Sequence, residues 1–352
     1  MTTLNMLNVA QHPQCYNDNS RMSFLEQHGY TLLHPVGQDS SIRRYFRVGK
    51  GAQTAILMET VPDNSPQATP GHSLAAFIAI AEWLNDIGAK APAIYEIDAD
   101  NGYALLEDLG QSCFKDALAN GCDPLALYTI AAKTLEHIAA RDCPLDLPDY
   151  YDSHVHKRHR RVMDWFIPLA RLRPNEEGLI AAYKDAWSQI ESALPPCPQG
   201  FVHVDFHAEN LMHLPQGQGI KRCGILDFQG AMIGPAPYDL ANLLEDARTD
   251  VPAEIRAAIL KNKDETFRVW YRVLATQFHC RVIGQFIKQA VSDGNPRYLK
   301  HMPRLKRYIR QGLRDPVLAP LAAFFDDLGI SFHESVSERI DTLKPLISDD
   351  AY

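Results

Sequence analysis

Apolar and polar positions alternate along the chain in two regimes, strand-like at the start and helical afterwards. Three short β-prone runs, at 30–36, 42–48 and 54–59, are separated by turn residues, Gly37 to Ser41 and then Gly49-Lys50-Gly51. They read as an antiparallel meander. Among prolines 62, 66, 70 and 92, residues 73–87 carry apolar side chains at 74, 77, 78, 80, 81 and 84, the stripe of one helix. Strand-like runs at 93–97 and 103–107 follow, joined by a turn at 98–102. Beyond Gly110 the period changes. Asp123 before Pro124 is a helix start, a cap residue followed by proline at the first helical position. Helical periodicity runs from there to Ala140, then over 150–167, 175–193, 253–291, 297–312 and 316–328. One island of strands interrupts the second part, at 200–203, 210–213 and 223–227. The pattern predicts an α+β chain: a small β-rich part with one helix, then a larger helical part with a hairpin insert.

The island carries the chemistry. It reads Phe201-Val202-His203-Val204-Asp205-Phe206-His207-Ala208-Glu209-Asn210-Leu211-Met212, then Ile225-Leu226-Asp227-Phe228-Gln229. Asp205, Asn210 and Asp227 fall at strand ends or in tight loops, and a hairpin from Asn210 to Asp227 brings its two ends together. Phosphoryl transfer needs charge neutralisation and in-line positioning more than covalent help. One carboxylate and one amide oxygen suit magnesium and leave places for phosphate oxygens and water. A second carboxylate, outside the metal shell, can take the proton of the attacking hydroxyl. Asp205 is therefore the expected base, and Asn210 and Asp227 the expected metal ligands. The bland alternative makes all three loop caps. His203 and His207 suggest zinc, but without a compact two-histidine helix motif His203 reads as a packed loop histidine.

These residues carry a resemblance. His203-x-Asp205-x-x-x-x-Asn210 followed by Asp227-Phe228 resembles the catalytic loop and metal motif of aminoglycoside-phosphotransferase-like kinases, distant relatives of protein kinases. The strings Leu226-Asp227-Phe228-Gln229-Gly230-Ala231, Gly234-Pro235, Tyr238-Asp239-Leu240-Ala241, Arg43-Arg44-Tyr45-Phe46-Arg47 and Leu105-Leu106-Glu107-Asp108-Leu109-Gly110 extend it over residues 23–330. They are similar to strings of the bacterial cell-wall sugar kinases that phosphorylate N-acetylmuramate and N-acetylglucosamine at the anomeric hydroxyl.

The resemblance implies a two-lobed protein-kinase-like α+β fold. A polar tail is expected over 1–22, a nucleotide-binding N-lobe of antiparallel sheet plus one helix over 23–108, and a mainly helical catalytic and substrate-binding C-lobe over 109–352. It implies ATP and Mg2+ in the cleft between lobes. Asp239 is expected to brace the catalytic loop, with His203 as further support. Backbone groups of Glu107, Asp108 and Leu109 are expected at adenine, and Gln38, Asp39, Ser40 and Ser41 to form an anion nest over the phosphates.

The chain departs from the pattern at Met58, where the third strand of a kinase carries a lysine. Arg43, Arg44 or Arg47 could supply the missing cation. Alternation puts Arg43 and Arg47 on one face and Arg44 on the other, and Arg44 joins the expected nucleotide-binding set. Only nine residues separate Gln229 from Asp239, too few to lay out a peptide, so the acceptor is expected to be small. The expected reaction is on the anomeric hydroxyl of an N-acetylated amino sugar. The alternatives are another kinase of the superfamily (choline, homoserine, ketosamine or aminoglycoside) or a nucleotide-binding pseudokinase, the latter motivated by Met58.

Composition narrows the partners. A net charge of −8 over 352 residues offers no broad cationic footprint for nucleic acid. The seven cysteines are scattered, with no C-x-x-C pair, as in a reducing compartment. The first 20 residues lack the basic start and apolar run of a signal peptide, and the longest apolar stretch, 74–81, is too short to cross a bilayer. A cytoplasmic setting and a small-molecule substrate are expected, with neither nucleic acid nor membrane as partner. The densest positive run, His154-Val155-His156-Lys157-Arg158-His159-Arg160-Arg161, is either a solvated helix face or a patch for an acidic acceptor such as the lactyl carboxylate of N-acetylmuramate. Trp270, Tyr271, Leu274, Phe278, Val282 and Phe286 read as core. Glu82 is read as a surface residue without its lysine partner, while Glu245 and Asp246 stay open between substrate contact and helix surface.

Overall fold

The β-prone runs of the first part pair as one five-stranded antiparallel sheet in the order Thr31–Val36, Arg44–Lys50, Gln53–Glu59, Tyr103–Glu107, Ile94–Asp98. The structure, a computed structural model, describes residues 17–37, 43–66, 68, 73–336, 340 and 346. The chain divides into two compact units, residues 1–110 and 111–352. The first contains α1 (Asp18–His28), β1 (Thr31–Val36), β2 (Arg44–Lys50), β3 (Gln53–Glu59), α2 (Leu74–Asp86), β4 (Ile94–Asp98) and β5 (Tyr103–Glu107). Ser73 caps α2, its hydroxyl accepting from Ala76 N at 2.9 Å.

Helix α1 runs through residue 22, where the polar tail was expected to end. Asn17 caps it by accepting from Asn19 N and Ser20 N, and Gly29 ends it at φ 74°, a left-handed conformation that glycine adopts without a Cβ penalty. Its sequence is too polar for a stripe. Phe24 and Leu25 nevertheless pack on Val48, Leu57, Tyr103 and Leu105 of the sheet, and such burial stabilises by about 1.5–3 kcal/mol per large side chain.

The second unit opens with α3 (Phe114–Ala119) and α4 (Pro124–Ala139), the latter capped by Asp123 as predicted. The predicted helix over 150–167 is instead a graded coil. It runs through α5 (His154–Lys157), a 3-10 turn at Arg158–Arg160, a π-helical turn at Val162–Phe166 and α6 (Ile167–Arg171). The wide turn precedes Pro168, which has no N–H to return to a carbonyl one turn back. Then come α7 (Leu179–Ser192), β6 (Gln199–Val202), β7 (Leu211–His213), β8 (Cys223–Ile225), β9 (Met232–Pro235) and α8 (Pro237–Leu244).

The predicted helix over 253–291 is two, α9 (Ala253–Leu260) and α10 (Glu265–Ser292). Asp264 starts the second by accepting from Phe267 N at 2.7 Å. Helices α11 (Met302–Gly312) and α12 (Ala319–Asp327) follow. Helix α10, about 42 Å long, buries the expected stripe from Trp270 to Phe286 against Trp165, Phe166, Tyr183, Val202 and Tyr238. Among the described residues no helix is long and apolar enough to cross a membrane.

Candidate active site

Two antiparallel strand pairs of the second unit position the predicted residues. Strand β7 pairs with β8, Leu211 opposite Ile225, and Leu226 N donates to Asn210 O at 3.0 Å beyond the last rung. The hairpin thereby sets the side chains of Asn210 and Asp227 together, with Asn210 Nδ2 at 3.4 Å from Asp227 Oδ2. Strand β6, paired with β9, delivers His203 to Asp205 from the other side. Asn210 Nδ2 also donates to the carbonyl of Asp205 at 3.0 Å, so one short network joins all three residues. Asp205 and Asp227 reach solvent, whereas Phe206, Ala208, Leu211, Ile225 and Phe228 around them are fully buried.

The loop is held in an unusual backbone shape. Val204 has φ 80° and Asp227 φ 61°. For a β-branched residue the first value is a true outlier, costing about 1–3 kcal/mol unless its surroundings dictate it. They do. Asp239 of α8 accepts from His203 N at 2.6 Å and Val204 N at 2.9 Å, and Asn242, one turn on, donates to Val204 O at 2.8 Å. Burial pushes the Asp239 carboxyl up, to about 7, against the pull of the two backbone donors. Both of its oxygens accept, so the ionised form is the one that clasps the loop.

His203, 2% exposed, lies with Nε2 at 2.9 Å from Leu226 O while Nδ1 accepts from Asp205 N at 3.3 Å. Burial lowers its pKa to about 4, consistent with a neutral ring. It is a packed loop histidine, tying the two strand systems together.

Electrostatics around Asp205 favour a carboxylate. The surrounding protein acts to raise its pKa, but Arg281, His207, Arg248 and His203 outweigh this and lower it. His207 leads into a charged chain. Its Nε2 lies 3.2 Å from Arg248 Nη1 and 3.3 Å from Asn210 Nδ2, Arg248 Nε lies 3.6 Å from Glu209, and Glu209 binds Lys115. Arg248, Arg281, Asn242 and Gln229 were not singled out by sequence reasoning. All but Gln229 lie beyond the motif, on helices or turns whose proximity no local pattern encodes.

The residues present fit a divalent cation. With the amide nitrogen of Asn210 committed to the Asp205 carbonyl, its oxygen is the atom that can face a metal. Gln229 Nε2 donates to Asp227 Oδ1 at 2.6 Å, and Gln229 Oε1 is buried without a hydrogen-bond partner, an acceptor that water on a metal would satisfy. Among the described residues no group of three or more His, Cys, Asp or Glu is placed to hold a metal ion. Magnesium keeps several waters and needs only one or two protein oxygens when phosphates supply the rest.

In the first unit, Gln38 to Ser41 lie outside the described residues. Met58 is fully buried in the sheet. Arg44 pairs with Glu59, which also takes Arg21 at 3.3 Å. Arg47 grips Asp108 in a two-pronged ion pair at 2.7 and 2.9 Å, and Arg43 lies over the Phe77 ring and donates to Ser73 O. All three candidate cations thus have partners within the unit. Glu107 takes Lys90 and Ala93 N, leaving its side chain structural; Leu109 is 8% exposed. Glu82 is exposed, as expected. Glu245 and Asp246 are not helix surface: both are buried, Glu245 against Arg272 at 2.9 Å and Tyr271 OH at 3.1 Å.

Comparison with known proteins agrees with this geometry. Residues 33–273 match the model of the phosphotransferase enzyme family. An N-acetylmuramate/N-acetylglucosamine kinase of Caulobacter vibrioides is 32% identical over 346 residues, covering 87% of this chain and 95% of the relative. Kinases of the same name from Pseudomonas aeruginosa and Neisseria meningitidis are 29% and 28% identical, over 84% and 82% of this chain and 88% of each relative. Among solved structures, a choline/ethanolamine kinase family protein from Mesorhizobium loti superposes with a TM-score of 0.58 at 13% identity, over 87% of this chain and 98% of that one. The GDP complex of aminoglycoside 2'-phosphotransferase-IIIa gives 0.56 at 14%, over 84% and 99%. At such identities the likeness shows the fold, which is the expected protein-kinase-like α+β fold. The family match and the 32% identity over most of the length settle the membership: the chain belongs to the phosphotransferase enzyme family and is a phosphotransferase of the aminoglycoside-phosphotransferase-like kinases.

Proposed function

We propose that this phosphotransferase moves the γ-phosphoryl group of ATP, with Mg2+, to the anomeric hydroxyl of N-acetylmuramate or N-acetylglucosamine. The observation that carries this is the meeting of Asn210 and Asp227 at 3.4 Å beside the Asp205 loop, in a chain whose relatives are named for these two sugars. Asn210 and Asp227 would hold the cation, which when bound supplies charge neutralisation at the phosphates. Asp205, reaching solvent and kept ionised by its basic neighbours, takes the proton of the attacking hydroxyl. An anomeric hydroxyl is more acidic than an ordinary alcohol, so a carboxylate of low pKa suffices as base. Asp239 and Asn242 hold Val204 in its strained shape and so fix where the Asp205 carboxylate points.

An ADP-release screen over sugars, with and without magnesium, tests this proposal. Turnover is expected on the two N-acetylated amino sugars and is expected to stop with chelator. Asp205→Asn should lower kcat by ~10²–10⁴ with ATP binding largely kept, whereas Asp227→Asn should weaken magnesium-dependent ATP binding. Turnover spared in the first variant would remove Asp205 from the role of base.

A further inference from the structure

Three arginines gather at one seam of the second unit, and among the described residues none of them makes an ion pair with a carboxylate. Arg158 and Arg161 stand one turn apart on the segment leading into α6. Gly284 of α10 packs on that segment so closely that a Cβ would lie 2.1 Å from Arg161 O. Arg281 is one turn earlier on the same helix face, which brings it to the same seam. Its Nη2 donates to Tyr238 OH at 2.9 Å, next in sequence to the Asp239 clasp, while its Nε is buried without a hydrogen-bond partner.

Among the described residues none of the three lies within 4.0 Å of an acidic side chain; the carboxylate on that segment, Asp164, is taken by Arg160 at 2.9 Å. The arginines feel one another. Desolvation and Arg281 lower the pKa of Arg158; desolvation, Arg158 and Arg281 bring Arg161 down to about 10 despite Asp164 and Asp293. Arg281 is also the charge that acts most strongly on Asp205. Asp205 favours the charged form of Arg281 in return, but crowded like charges are unfavourable, and a local conflict of this kind is expected where a ligand resolves it. Arg158 is exposed and the other two are half-buried.

We propose that Arg158, Arg161 and Arg281 form a carboxylate subsite that favours an acidic acceptor sugar over its neutral counterpart, a proposal that rests on the amino-sugar reading above. N-acetylmuramate carries a lactyl carboxylate that N-acetylglucosamine lacks. Paired guanidinium donors bind a carboxylate in a fixed orientation, which turns the sugar so that its reacting hydroxyl meets the base. A cationic acceptor would be repelled from the same place.

Steady-state kinetics of the full chain on both sugars, for wild type and for Arg158→Gln, Arg161→Gln and Arg281→Gln, test the subsite. The ratio of kcat/KM for N-acetylmuramate to that for N-acetylglucosamine should fall ~10- to 100-fold in each variant, through a higher KM for the acid. Arg158 is exposed, so its replacement reports on binding even if the more enclosed variants fold poorly, and Arg158→Lys should recover part of the loss. Wild type active on both sugars with variants that leave the ratio unchanged, or lower both sugars equally, would overturn the subsite alone. Wild type that phosphorylates neither sugar would overturn the amino-sugar reading and the subsite with it.

Discussion

Replacing Asp239 by asparagine strikes the element that gives the Asp205 loop its shape. The carboxylate is 2% exposed and accepts from two backbone donors, His203 N at 2.6 Å and Val204 N at 2.9 Å. Asparagine keeps one acceptor oxygen and turns an NH2 group toward the other N–H. The loss is therefore one charge-assisted hydrogen bond, worth about 1.5–3 kcal/mol, plus the cost of a buried orphan donor, about 1–3 kcal/mol. Together these come to roughly 2.5–6 kcal/mol, a large share of the ~5–15 kcal/mol expected for a folded domain. For a unit of this size that corresponds to a fall in Tm on the order of 10 °C.

Val204 would then be free to leave φ 80°, carrying Asp205 with it. A misplacement of about 1 Å at a reacting group costs on the order of 10²-fold in rate. The assay is a thermal melt with turnover measured well below the transition. Asn242→Ala is the graded comparison: it removes one neutral bond to Val204 O and should cost about 1 kcal/mol. If Asp239→Asn melts and turns over like wild type, Val204 is not held by the clasp and the account of the loop is wrong.

Three other outcomes are expected. His159 is 8% exposed beside Tyr183 and Trp187, and burial followed by His156 and Lys184 lowers its pKa to about 3 from 6.5. The unfolded chain binds that proton first, so stability should fall as pH drops from 6.5 toward 3, by about 2 kcal/mol at pH 5 from this group. Urea unfolding at pH 7.5 and 5 should show a shallower pH dependence in His159→Phe than in wild type; an unchanged slope would mean the ring is protonated in the fold. Gly284→Ala pushes a methyl group into the Arg161 carbonyl and should destabilise by about 1–3 kcal/mol, read as a lower urea midpoint; a wild-type midpoint would show that the seam can open. Gln229→Ala should weaken magnesium-dependent ATP binding several-fold by removing the donor on Asp227 Oδ1, measured by titrating magnesium at fixed ATP, and an unchanged titration would remove Gln229 from the site.

The sheet and the meeting of Asp205, Asn210 and Asp227 were legible because both are local in sequence. Strand β5 was read to the residue, and the hairpin between Asn210 and Asp227 follows from two short apolar runs with a turn between them. Helix α1 was not legible. Its cap and its glycine stop are clear only in hindsight, since Asn-Asp-Asn-Ser reads equally well as a turn and only Phe24 and Leu25 mark an apolar face. The segment 150–167 read as one helix because its apolar spacing survives a change from 3-10 to π winding. Asn242, Arg248 and Arg281 reach the Asp205 loop from 37 to 76 residues away, and nothing in their own neighbourhoods announces it. Arg47 was one of three arginines, with Arg43 and Arg44, that could supply the missing phosphate cation. Its partner Asp108, 61 residues on, was visible only once β2, β3 and β5 were paired.

The most direct measurement is 31P NMR of the enzyme with ATP, Mg2+ and N-acetylmuramate or N-acetylglucosamine. A new phosphate-monoester resonance coupled to the anomeric proton, formed with ADP and absent in Asp205→Asn, is the predicted spectrum. ATP left unchanged with both sugars, or a phosphate on any other hydroxyl, would contradict it.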